Sequence, residues 1–98
     1  MIVKEEILLN KIIYLINSVI SPKRILLFGS RGKGTARDGS DFDIAIDSDQ
    51  IETSKLRNLK EKIEEIAGLY SVDIVFLNDV EDGFRKIILD TGKVLYEK

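Results

Sequence analysis

The stretch Leu26–Asp47 constrains this chain most: Leu-Leu-Phe-Gly-Ser-Arg-Gly-Lys-Gly-Thr-Ala-Arg-Asp-Gly-Ser-Asp-Phe-Asp-Ile-Ala-Ile-Asp. An apolar run stops at Gly29-Ser30, so a buried strand over 23–28 gives way to a turn. Ten residues, small, basic and glycine-rich, separate Ser30 from Asp41. Residues 31–37 can open one loose helical turn with Ser30 as its N-cap. Gly32 and Gly34 weaken it by roughly 1 kcal/mol each relative to alanine. Asp41–Asp47 then alternates strictly. Phe42, Ile44 and Ile46 take one face of a strand; Asp41, Asp43, Ala45 and Asp47 take the other. The two strands can pair antiparallel around the glycine-rich connection.

The flanking segments supply a core for these strands. Residues 3–20 read as a helix whose apolar face is Ile7, Leu8, Ile12, Leu15, Ile16 and Val19. Leu9, Ile13 and Ile20 widen that face beyond the ~100° stripe of a simple surface helix. Either a small core wraps this helix, or part of the face docks on another protein. Ser21-Pro22 ends it. Residues 51–67 form a second amphipathic helix with Ile51, Leu56, Leu59, Ile63 and Ile66 inward and Gly68 as C-cap. Tyr70–Leu77 alternates again, with Val72, Ile74 and Phe76 opposite Asp73, Val75 and Leu77. A last helix, about 80–90, is expected to bury Phe84, Ile87, Ile88 and Val80, and Lys93–Tyr96 adds an edge strand. The element order predicts an α/β (α+β) fold: a small mixed sheet with helices packed on it, in one domain spanning 1–98.

Composition removes several chemistries. The 98 residues include no cysteine and no histidine. Thiolate metal sites, cysteine nucleophiles and imidazole bases are therefore excluded, and any catalysis rests on carboxylates, amines, hydroxyls or a bound ion. A net charge of −2 argues against direct binding of nucleic acid, which needs a broad basic face. No apolar run reaches the ~20 residues of a membrane span. Lys4, Glu5 and Glu6 come too early for a signal peptide, so the expected location is cytoplasmic.

The remaining polar residues fall into a pattern. Asp41 and Asp43 leave one strand face about 7 Å apart. Asp73 is the only acid inside the next strand. If those strands are neighbours in register, three carboxylates converge, with no basic residue of matching parity to offset them. A divalent metal is the simplest remedy, and an all-oxygen set suits Mg²⁺ or Mn²⁺. On the other side of the turn, backbone amides after Gly29 and the Ser30 hydroxyl can meet phosphate oxygens, while Arg31, Lys33 and Arg37 offset charge. Two metals ~3.5–4 Å apart would bridge the acids and an α-phosphate. Rival motifs fail on spacing. Glycine follows Lys33 where a P-loop needs Ser or Thr, Gly-x-Gly does not extend to Gly-x-Gly-x-x-Gly, and an EF-hand fails at Ala45 and Ile46.

Gly29-Ser30, ten residues, then Asp41-Phe42-Asp43 resembles the signature of the polymerase-beta-like nucleotidyltransferase superfamily. The Ser40–Ile44 run and the Val72–Val75 strand look most like the minimal nucleotidyltransferases. The resemblance implies that Asp41, Asp43 and Asp73 are the catalytic and metal-holding residues, with two Mg²⁺ ions and ATP as substrate. It further implies that Asp73 helps to deprotonate the attacking hydroxyl, and that Gly29, Ser30 and Lys33 hold the triphosphate. Many members read Gly-Ser-x-Ala-Arg-Gly; here Gly32-Lys33-Gly34 replaces the last three, so the bidentate arginine fork is lost. Proteins similar to this one are often antitoxins that transfer AMP from ATP to a tyrosine of a HEPN-domain RNase toxin. That partner, an oligomer or a hetero-oligomer with it, and a role as antitoxin are the leading expectation. The alternatives are a binding module that neutralises the toxin without catalysis, and transfer to a small-molecule hydroxyl.

Overall fold

The computed structural model describes residues 3–29, 42–68 and 70–98. Arg24–Phe28 (β1) and Phe42–Asp47 (β2) pair antiparallel, with Leu26 opposite Ala45 and Phe28 opposite Asp43. Val72–Phe76 (β3) lies parallel to β2, and Lys93–Glu97 (β4) antiparallel to β1. The sheet order is β3-β2-β1-β4, a mixed sheet as the sequence predicts. Three helices accompany it among the described residues: Val3–Val19 (α1), Thr53–Ala67 (α2) and Asp82–Thr91 (α3).

Strand alternation decides which face each helix covers. Ile25 and Leu27 of β1, Phe42, Ile44 and Ile46 of β2, and Phe76 of β3 point to one side. There they pack with Leu8, Ile12 and Ile16 of α1 and with Leu59, Ile63 and Ala67 of α2. Ile12, Ile16, Ile25, Ile44, Ile46 and Leu59 are fully buried, and each such side chain stabilises by about 1.5–3 kcal/mol over leaving it in water. α2 is the crossover that carries the chain from β2 to a parallel β3. It stops at Gly68, whose φ of 63° is the left-handed backbone that glycine adopts without steric cost.

The opposite face is covered only in part. Leu26, Phe28, Ala45, Leu77 and Ile88 form a second, smaller cluster beneath α3. Three apolar arcs come out narrower than predicted. Ile7 of α1 and Ile66 of α2 stay exposed, and with Tyr14 they line an outer groove of about 400 Å³ between the two helices. On α3 only Ile88 is buried, while Phe84 and Ile87 remain exposed at 36% and 56%. A single helix laid on a sheet face that also carries polar groups has room to bury one residue fully, not three.

Candidate active site

The uncovered part of the second face holds the polar residues. Phe28 is the register partner of Asp43, and Asp43 is the register partner of Asp73. In-register neighbours on adjacent strands share a face roughly 4.8 Å apart. The end of β1 and the beginnings of β2 and β3 therefore meet on one rim, and the two carboxylates leave it side by side. Gly29 follows β1 directly with φ of 70°. A Cβ on it would stand 2.5 Å from Asp43 Oδ2. Glycine is required here twice, by its backbone conformation and by the carboxylate lying against it.

Neighbouring contacts fix the relative position of the two acids. The Phe42 amide donates to the Ser71 carbonyl at 2.8 Å, tying the start of β2 to the residue before β3. The Tyr70 ring meets Phe42 edge to face at 5.3 Å, and its hydroxyl donates to Oε1 of the buried Glu5 at 3.5 Å. Two rungs further along the same face, Asp47 accepts from Arg24 Nε at 3.0 Å and forms an ion pair with its Nη2. At the other end of the β2 row, Asp43 stands in register with a second carboxylate, Asp73.

A cleft of about 480 Å³ opens over this rim, within the range of small-ligand sites. Asp43, Asp73, Val75, Phe28 and Phe84 line it, and Lys60 and Glu64 of α2 reach it. The Phe28 and Phe84 rings meet edge to face, 5.7 Å apart at 79°. Of the residues predicted to form the site, Gly29, Asp43 and Asp73 are brought together. Ser30, Lys33 and Asp41, with Arg31 and Arg37 and the helical turn expected over 31–37, lie outside the described residues. Phe28, Phe84 and Lys60 escaped the sequence reading. Phe28 was recoverable, since its parity in β1 places it beside Asp43 once the strands are paired. Phe84 and Lys60 sit on helices whose approach to the cleft no local pattern encodes.

The model of the family described as polymerase beta, nucleotidyltransferase matches residues 10–98. The chain belongs to this family. As a nucleotidyltransferase it is 35% identical over 68 residues, 68% of either chain, to the protein adenylyltransferase MntA of Thermococcus cleftensis. It superposes with a TM-score of 0.76 and 32% identity on a chain in the crystal structure of a toxin–antitoxin with AMP-PNP, covering 92% of this chain and 73% of that one. A structure of tri-AMPylated Shewanella oneidensis HEPN toxin in complex with MNT antitoxin is matched at TM-score 0.72 and 27% identity, over 95% and 72% of the two chains. In this nucleotidyltransferase the donors suit a hard divalent cation. Asp43 and Asp73 offer carboxylate oxygens at adjacent register positions on the open rim. Among the described residues no cluster of three potential ligands forms, and Asp41, the third carboxylate expected from the sequence, lies outside them. No helix among the described residues is long and apolar enough to cross a membrane.

Proposed function

We propose that this nucleotidyltransferase, as one domain over residues 1–98, is a Mg²⁺-dependent protein adenylyltransferase. It transfers AMP from ATP to a tyrosine hydroxyl of a HEPN-domain RNase toxin and thereby acts as its antitoxin. The observation that carries this reading is the in-register pair Asp43 and Asp73 beside Gly29 on an open rim. The relatives support it: one is named a protein adenylyltransferase, and one belongs to a complex whose HEPN toxin is AMPylated.

In this reading Asp43, Asp73 and Asp41 would hold the metal. When bound, Mg²⁺ supplies positive charge that offsets the carboxylates and the triphosphate. Gly29 lets the backbone approach the phosphates closely, and Ser30 and Lys33 contribute a hydroxyl donor and an ammonium. Asp73, exposed at the start of β3, accepts the proton of the incoming hydroxyl. The hydroxyl oxygen forms a bond to the α-phosphorus, the bond from that phosphorus to the bridging oxygen of the β-phosphate breaks, and pyrophosphate leaves with the electron pair.

A second reading is a binding module that neutralises the toxin by complex formation alone. The exposed groove of Ile7, Tyr14 and Ile66 between α1 and α2 favours it, because an apolar surface of that kind can hold a partner without chemistry. One experiment separates the two. The chain is incubated with ATP, Mg²⁺ and the HEPN protein, and the toxin is weighed by intact mass spectrometry. Added AMP that disappears in Asp41→Ala/Asp43→Ala, together with loss of neutralisation, is the expected result. Neutralisation that survives the double substitution with no mass added overturns catalysis in favour of the binding module.

A further inference from the structure

The rim of the cleft is chemically lopsided. On one side α2 presents Lys60, Ile63 and Glu64, two of them charged. On the other, α3 presents Phe84, whose ring leans edgewise on Phe28 and is 36% exposed. Ile87 follows three residues later on the adjoining arc of the helix and is 56% exposed. α3 buries only Ile88; of its three exposed large apolar side chains, Phe84 lines the cleft, Ile87 lies one turn further along the same side, and Leu89 lies on the other side of the helix.

We infer that Phe84 and Ile87 form the ledge on which the acceptor-bearing segment of the protein substrate lies, with apolar side chains flanking the modified hydroxyl. This rests on the proposed transfer to a protein. A reacting hydroxyl must come within about 3–3.5 Å of the phosphorus held near Asp43 and Asp73. The polypeptide carrying it must therefore cross the rim, where Phe84 of α3 stands as an exposed aromatic side chain beside Phe28. A nucleotide base is the rival occupant of Phe84. It would end in the cleft against a flat ring, whereas the apolar surface here runs outward along the helix to Ile87, an aliphatic side chain that offers no stacking face. A strip leading out of the site matches a chain passing over it.

The test compares Phe84→Ala, Ile87→Ser and Phe84→Leu with the unaltered chain, using the HEPN protein as acceptor. Leu89→Ser is the control, because Leu89 is 39% exposed on the far side of the same helix. Phe84→Ala and Ile87→Ser are expected to raise KM for the acceptor roughly tenfold, the size of effect that follows loss of an interface anchor. KM for ATP should stay within about twofold, with Phe84→Leu retaining most of the acceptor affinity. A rise in KM for ATP instead makes Phe84 a base platform and overturns the ledge. An equal effect of Leu89→Ser, or no change in either variant, overturns it as well. Equilibrium titration of the HEPN protein against the same variants reads the ledge independently of transfer. If the unaltered chain adds no AMP, the proposed reaction fails, and tenfold weaker binding by Phe84→Ala still upholds the contact while unchanged binding removes it.

Discussion

Replacing Asp73 by asparagine keeps the side chain's shape and removes its ability to take a proton. Asp73 is exposed at the head of an edge strand, so Asp73→Asn should change stability by no more than about 0.5 kcal/mol. Transfer of AMP should fall by about 10²–10⁴-fold if the carboxylate acts as the base. A thermal melt together with a mass assay of the acceptor checks both halves. Gly29→Ala works differently. Its left-handed backbone costs an alanine about 1–2 kcal/mol, and the new methyl collides with the Asp43 carboxylate. Transfer should be lost well beyond what the shift in urea midpoint explains. Gly68 has the same backbone sign but nothing within 4 Å of an added Cβ. Gly68→Ala should therefore cost about 1–3 kcal/mol from its backbone alone and leave transfer intact, which the same two measurements read.

At the scale of the element, α3 depends on one side chain. Ile88 is fully buried between Leu26, Ala45 and Leu77, and Ile88→Ala should cost about 2–5 kcal/mol in denaturant unfolding. This helix also marks how far the sequence could be read. Alternation in β2 and β3 assigned every strand residue to its observed face, because a period of two leaves no ambiguity when one face is buried. Helical spacing was less reliable. It listed Phe84, Ile87, Ile66 and Ile7 as inward, and all four are exposed. An apolar arc shows which residues could be buried, while the area of sheet available beneath the helix decides which are. The site divides in the same way. Asp43 and Gly29 were legible from a local motif, and Asp73 from its parity. The pairing of Asp43 with Asp73 needed the crossover through α2, and the approach of Phe84 to Phe28 had no local signal at all.

At the scale of the whole molecule, the carboxylate rim belongs to the sheet and not to any one segment. Asp43 and Asp73 sit on two neighbouring strands and Gly29 directly follows a third, all joined in one network of backbone hydrogen bonds. Urea should therefore abolish transfer and circular dichroism in one coincident transition, as a cooperative domain requires. Loss of transfer at a lower urea concentration than loss of helix signal would show that the rim melts separately. The parallel pairing of β2 with β3 also sets an order in time. Antiparallel neighbours can join as soon as a short connection closes, but a parallel neighbour must wait for its crossover to be made and folded back. During synthesis, Asp43 emerges thirty residues before its register partner, so a nascent chain that has not yet delivered Val72–Phe76 from the ribosome holds one carboxylate of the proposed pair without the other.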